Sequence, residues 1–442
     1  MSDSLSKGTW VASNERRYKV LEEIGSGGQG NVYLVESEGM KYALKWYNKT
    51  SSTVEQYRGI ELLVDKGAPS EKFIWPLVIV EGESKDNFGY VMPLIDTKRY
   101  TKLTHYFGGE IKVKRYEYLI DACIKIAHGY NELHLSGLCY RDISFGNLFV
   151  DFSTGDILIC DNDNVTIDNL IGTDQIWGTQ GFMAPEVVRG EKAPSTQTDL
   201  FSLSVVLFRM LHLQHPLQGK REYEIEIVDY DALVDLYGKN PVFIYDPIDE
   251  TNRPVKGKKD IADGYWQIMP SFIKERFTEA FTVGLNDPNH RVRESIWIRD
   301  LLMLKASLMY CYQCGAQLFY DRHRLNRQDN CPHCNTKVSV LPPRLRINDR
   351  IVMLNHDTVL SAAEVDDTRL MDYEAPYMKV EIHPRHPEIW GIKNLSDDVW
   401  RYTTKDGTEK EVVKDGVIPM REGQEIVFGR FEGQIRMGVK LK

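Results

Sequence analysis

Apolar residues recur along the chain with two different periods, and the change of period divides it. In YLIDACIKIAHGYNELH, Leu119, Cys123, Ile126, Tyr130 and Leu133 fall at helical spacing, which predicts an amphipathic helix. The stretch from residue 199 to about 212 is apolar almost all round, the pattern of a helix buried inside a domain. VEQYRGIELLVDKG reads as a third helix stopped by Gly67. NVYLVES and KYALKWY read as strands, and ILICDNDNV (residues 157–165) as a buried strand with an acidic cluster at its exit. Strands and helices alternate in this way to about residue 305, and a short cysteine-bearing segment follows. Beyond LPPR (residues 341–344) the runs become β-branched and aromatic, broken by the turn signals Asp406-Gly407 and Asp415-Gly416.

Composition narrows the classes. With 442 residues the chain has room for two or three domains. A net charge of −9 gives no reason to expect wholesale binding to nucleic acid or membrane. MSDSLSKGTW has no apolar centre, so no signal peptide is expected. The most apolar long segment, LFSLSVVLFRMLHL, is too short to span a bilayer and carries Arg209. Seven cysteines, four of them in a metal-type spacing, fit a reducing cytoplasm.

IGSGGQGNVY places Gly25, Gly27 and Gly30 in a G-x-G-x-x-G pattern leading into Val32. Glycines let a backbone approach phosphates closely. The pattern runs into strands here, whereas a dinucleotide-binding loop would open a helix. Lys45 ends the apolar run YAL, a place from which an ammonium can reach nucleotide phosphates, although a lysine taken alone is more often a surface residue.

Further along, YRDISFGNLFV sets Asn147 five residues after Asp142, and GTQGFMAPE supplies Ala184-Pro185-Glu186. TDLFSLSV carries Asp199, and DPNHR ends at Arg291. Together with the glycine loop and Lys45, these motifs resemble the eukaryotic-type (Hanks-type) serine/threonine protein kinases over about residues 18–305. The resemblance implies a bilobal α+β kinase fold that takes ATP with Mg²⁺ or Mn²⁺. Lys45 would hold the phosphates and pair with a helix glutamate, Glu55 by preference and Glu61 as the alternative. Asp142 would take or orient the substrate hydroxyl proton, while Asn147 and Asp161 would bind the metal. YVMPLID would be the hinge, with Met92 at the rear of the adenine pocket and Pro93 and Ile95 meeting the adenine. Calcium is excluded for the Asp161 loop, because Thr166 and Gly172 stand where glycine and glutamate are required.

The sequence departs from the family pattern at four places. Asn162 and Asp163 replace the Phe and Gly after the metal-binding Asp. Tyr140 stands for the usual His, and Ser144 for a lysine that contacts the transferred phosphate. Asp163 reads as a solvated turn residue, with a third metal-facing carboxylate as the alternative. Thr179 matches the threonine beside the catalytic base in serine/threonine kinases, which favours such hydroxyls in a protein substrate. Arg141 is compatible with control by loop phosphorylation, with Thr166 and Thr173 as the candidate sites; the alternative is that both are ordinary loop threonines.

Cys311, Cys314, Cys331 and Cys334 form C-x₂-C-x₁₆-C-x₂-C, the spacing of a closed, structural Zn²⁺ site in a zinc ribbon. Cys123, Cys139 and Cys160 lie in apolar contexts and read as core residues. From residue 309 to 350 seven Lys/Arg oppose three Asp/Glu; this reads as a solvated or protein-docking face rather than a nucleic-acid site. The last segment reads as a β-sandwich faintly similar to forkhead-associated domains, without their phosphothreonine-reading elements. The expected division is a kinase domain at 1–308, a zinc ribbon at 309–341 and the β-sandwich at 342–442. The architecture resembles bacterial kinases encoded beside a phosphatase, which makes a cognate phosphatase an expected partner. The rival expectation is a pseudokinase scaffold that binds nucleotide or partners without efficient phosphotransfer.

Overall fold

The computed structural model describes residues 4–82, 87–168, 178–258, 260–321, 330–348 and 350–440. Six strands close the first lobe into a barrel: β1 (Trp10–Ala12), β2 (Arg17–Gly27), β3 (Gly30–Ser37), β4 (Met40–Tyr47), β5 (Val78–Glu81) and β6 (Phe88–Pro93). The sequence pattern does not announce β1. It pairs with β2 along its length and with β5 through Ala12 and Glu81, which is what closes the sheet. Alternating residues Val20, Tyr33, Val35, Leu44, Trp46 and Val91 fill the barrel. Helix α1 (Val54–Lys66) packs outside it. Thr53 caps its start by accepting the Gln56 N–H, and Gly67 ends it at φ 73°, as the sequence predicts.

The second lobe is helical and built around the two expected helices. Tyr116–Leu135 buries Leu119, Cys123, Ile126, Tyr130 and Leu133. The all-apolar helix begins three residues earlier than its pattern suggests, at Thr196, and runs to His212. The earlier start follows from Thr198, whose hydroxyl accepts the Ser195 N–H at 2.8 Å and opens the first turn. Asp199 and Glu186 are buried in this lobe. Arg291 meets Glu186 through two parallel bonds of 2.8 and 2.7 Å, a paired geometry that holds two charges in an apolar interior.

After the helix Glu294–Ala306, strand Leu308–Tyr310 pairs with Gln317–Phe319 in the cysteine module. Beyond it lie a six-stranded and a four-stranded antiparallel sheet. Their inner faces share a core around Trp400, Ile347, Ile392, Ile418 and Phe428. This β unit is tied to all three preceding parts. Asn355 Nδ2 donates to the Leu308 carbonyl of the cysteine module at 2.8 Å, Asp357 pairs with Arg115 of the helical lobe at 2.9 Å, and Glu374 pairs with Lys72, just before β5, at 3.2 Å.

Truncating Arg291 would leave Glu186 charged and buried without a partner. Arg291→Ala should therefore cost about 3–5 kcal/mol, read as a lower urea midpoint of the full chain by tryptophan fluorescence.

Candidate functional site

The site begins with the hairpin β2–β3. Its register brings Gly27 opposite Gly30, with Gly28 and Gln29 at the tip. A side chain at Gly30 would collide with the Trp46 carbonyl, since its Cβ would sit 2.0 Å from that oxygen. Only glycine lets β3 lie this close to β4. Beneath the hairpin is a cleft of about 1030 Å³ between the lobes. Gly25, Gly27, Gly30, Val32 and Lys45 line its roof, Met92, Pro93 and Ile95 its back edge, and Asp142 and Asp161 its floor. Residues that were 136 positions apart in sequence, Gly25 and Asp161, thus face one space.

The floor is held by a hydrogen-bond hub. Asp199 accepts the backbone N–H groups of Tyr140 at 2.6 Å and Arg141 at 3.0 Å, and meets His134 Nε2 at 3.2 Å. This fixes Arg141 at φ 72°, a conformation that is strained for a side-chain-bearing residue and persists only when its surroundings demand it. Tyr140 fills the place expected of a histidine: its hydroxyl donates to the Cys160 carbonyl. Asp142 then projects into the cleft. Thr179 Oγ1 donates to it at 2.6 Å and Asn147 Nδ2 at 3.2 Å. Burial raises the Asp142 pKa, and these donors limit the rise. Asn147 does not line the cleft itself; it sits below, also bound to the Asp142 carbonyl at 2.9 Å.

The other wall carries the corrections. Glu55 and Glu61 lie on the exposed side of α1, and neither pairs with Lys45. The inward stripe of α1 runs through Gln56, Ile60 and Leu63, at i, i+4 and i+7; Glu55 and Glu61 are each one residue, about 100°, off that stripe. Gln56 Nε2 donates to Tyr47 Oη at 2.9 Å. Asp163 is no solvated turn residue. Its side chain is fully buried, 2.7 Å from Lys45 Nζ, and accepts the Tyr47 hydroxyl at 2.6 Å. Asp161 lies 3.6 Å from the same ammonium, half exposed to the cleft. Burial alone would lower the Lys45 pKa, but Asp163 and Asp161 outweigh it and raise it. Asn162 is buried as well, donating to the carbonyls of Ile74 and Ile159 at 2.9 and 3.0 Å.

Sequence reasoning missed Gln56, Tyr47 and the burial of Asp163. A signal existed for the first two: the apolar stripe of α1 passes through Gln56, and Tyr47 shares a strand face with Lys45. Cys160, read as a core residue, is only half-buried and lines the cleft. Ser144 is buried. Thr166 sits in a short strand paired with Cys139, while Arg141 Nε donates to the Asn164 carbonyl at 2.5 Å. Thr173 lies outside the described residues.

Residues 18–278, more than half of the chain, match the family model described as protein kinase domain. The chain belongs to the protein kinase family. It is 25% identical to ribosomal protein S6 kinase alpha-4 of Homo sapiens over 48% of this chain and 28% of that protein. It is 27% identical to protein kinase C delta type of Rattus norvegicus over 49% of this chain and 32% of the relative. With the probable serine/threonine-protein kinase PknB of Lactococcus lactis it shares 23% identity over 51% of this chain and 36% of the relative. The chain thus spans about a third of the length of these relatives.

Away from the kinase cleft, Cys311, Cys314, Cys331 and Cys334 bring four sulfurs within 4.8 Å of one another. Each pair sits on the same tight loop. Gly315 N–H donates to the Cys311 carbonyl and Asn335 N–H to the Cys331 carbonyl, both at 2.8 Å, with both donor residues in the left-handed region. Cys311 and Cys334, and likewise Cys314 and Cys331, have sulfurs 3.8 Å apart. Four Zn–S bonds of about 2.3 Å at tetrahedral angles would set sulfurs about 3.8 Å apart, so the cluster fits zinc.

His134 gives the kinase hub a pH signature. Burial lowers its pKa, but bonds to Asp199 and Glu294 outweigh this and raise it from 6.5 to about 9. The folded state then holds a proton that the unfolded chain releases above 6.5. This stabilisation is complete below pH 6.5 and is lost as pH rises toward 9. Urea unfolding across that window should show stability falling in the wild type and falling less in His134→Gln.

Proposed function

We propose that the chain is an ATP-dependent serine/threonine protein kinase acting on protein substrates. The observation that carries this reading is the cleft itself: Asp142, oriented by Thr179 and Asn147, faces Lys45 and Asp161 across one space under the glycine hairpin. In this reading Met92, Pro93 and Ile95 meet the adenine, and Gly25, Gly27, Gly30 and Val32 cover the phosphates while Lys45 binds them. Asp161 offers a cleft-facing carboxylate. Asn147 commits its Nδ2 to Asp142 and so offers its amide oxygen; both are hard oxygen donors suited to Mg²⁺ or Mn²⁺. When bound, the metal neutralises charge on the phosphates. The substrate hydroxyl oxygen bonds to the γ-phosphorus as the bond to the β–γ bridging oxygen breaks, and ADP leaves. Asp142 takes the hydroxyl proton. Burial raises its pKa, which makes the carboxylate a better proton acceptor. Autophosphorylation falls within the same chemistry.

Protein substrates with Ser/Thr hydroxyls are favoured by the Ala184-Pro185-Glu186 segment, anchored by Arg291, and by Thr179 against Asp142. A pseudokinase scaffold is the second reading, favoured by Ser144, which is buried where a lysine for the transferred phosphate is expected. Among the described residues no helix is long and apolar enough to cross a membrane. A metal-type spacing of four cysteines rather than a disulfide framework supports a reducing cytoplasm. We assign the four-cysteine cluster to one structural Zn²⁺ in a zinc ribbon. The β unit is assigned as a forkhead-associated-like sandwich that docks partners, a cognate phosphatase among them.

Labelled ATP with Mg²⁺ and a generic protein substrate tests the main reading. Wild type should transfer phosphate, and Asp142→Asn should lower kcat by about 10²–10⁴-fold. Asp161→Asn should lose transfer and raise the metal concentration required. Nucleotide binding without transfer in any variant would favour the scaffold. For the cysteine cluster, elemental analysis should find about one zinc per chain, and Cys331→Ser should abolish it and lower the thermal midpoint.

A further inference from the structure

Lys45 is a buried cation, and a buried cation needs a counter-charge. The residue that α1 turns toward it is Gln56, a neutral amide that cannot supply one. The charge comes instead from Asp163, with its Oδ2 at 2.7 Å and its Oδ1 at 2.9 Å from Lys45 Nζ. Both carboxylate oxygens are committed, since Oδ2 also accepts the Tyr47 hydroxyl, and the side chain has no exposed surface. A carboxylate enclosed in this way is not presented to a metal in the cleft. Gln56 touches the pair only at one remove, through Tyr47 Oη at 2.9 Å and the Asp163 carbonyl at 3.4 Å.

We propose that Asp163 is the positioning residue of Lys45, replacing a glutamate on α1 as the counter-ion that holds the phosphate-binding lysine in register. The proposal rests on the phosphotransfer reading for its rate effects. Its consequence is a change in what controls the lysine. Asp161 and Asp163 are two residues apart on one turn, and Asn162 between them is clamped to Ile74 and Ile159. The metal-facing carboxylate and the lysine's counter-ion are therefore set by the same three residues. A shift of α1 would leave the Lys45–Asp163 pair unbroken, because no charge on α1 takes part in it.

The test compares Asp163→Asn, Gln56→Glu, the double variant and Glu55→Gln in the full chain. It reads kcat, KM for ATP, the Mg²⁺ requirement and the affinity for a fluorescent ATP analogue. Asp163→Asn keeps the shape and removes the charge. It should lower kcat/KM by about 100-fold, the scale of a displaced catalytic geometry, with the Mg²⁺ requirement unchanged. Gln56→Glu should also lose activity, because it sets a second carboxylate beside Asp163. The double variant moves the charge back onto α1 and should recover at least tenfold over Asp163→Asn, whereas Glu55→Gln should stay within twofold of wild type. Should Asp163→Asn alone fail to fold, recovery of folding and activity in the double variant supports the pairing. Wild-type activity in Asp163→Asn would overturn the proposal. So would a raised Mg²⁺ requirement at unchanged ATP affinity, or a folded double variant no better than the single. If wild type itself transfers no phosphate, the phosphotransfer reading fails instead. Analogue affinity then decides the pairing: weaker in both single variants and restored in the double supports it, and equal in all overturns it.

Discussion

The buried ion pair between Lys45 and Asp163 joins the two lobes at the point where they must agree. Lys45 stands on a barrel strand and Asp163 on the turn that leaves the helical lobe's floor. Neither charge is tolerable alone in an apolar interior, and each stabilises the other only at hydrogen-bond distance. The pair therefore bridges the two walls of the cleft. Tyr47 and Gln56 extend it outward to α1 with neutral donors, and Asn162 ties the same turn to backbone on both sides.

A second buried hub does the same for the catalytic loop. Asp199 carries a negative charge inside the helical lobe and is satisfied by two backbone N–H groups and an imidazolium. Those bonds hold Arg141 in a left-handed conformation, and that turn is what aims Asp142 into the cleft. The two hubs are linked through Tyr140, whose N–H serves Asp199 and whose hydroxyl reaches the carbonyl just before Asp161. Tyr140 is long enough to make that link through its own hydroxyl.

Much of this was legible in the sequence because it depends on residue type and short spacing. The glycine hairpin, Lys45, Asp142 with Asn147, Asp161 and the four cysteines each sit in a local pattern whose chemistry follows from the residues themselves. The helices Tyr116–Leu135 and Thr196–His212 followed from periodicity. The partner of Lys45 did not, because a glutamate at Glu55 and a glutamine at Gln56 differ by one residue on a helix whose phase is set by packing. The apolar stripe through Ile60 and Leu63 is what turns Gln56, rather than Glu55 or Glu61, inward. Asp163 was misread for a related reason: a carboxylate in a polar run looks solvated until something 118 residues away covers it.

The sequence by itself determined the family, the two-lobed plan and which polar side chains stand at fixed local spacing, since these rest on residue type and short-range pattern. Tertiary structure alone decided which carboxylate neutralises Lys45, how Asn162 is held, and that strand Trp10–Ala12 closes the barrel. Those outcomes depend on which groups lose water together. That is a property of packed surfaces between segments far apart in the chain, and no local pattern encodes it.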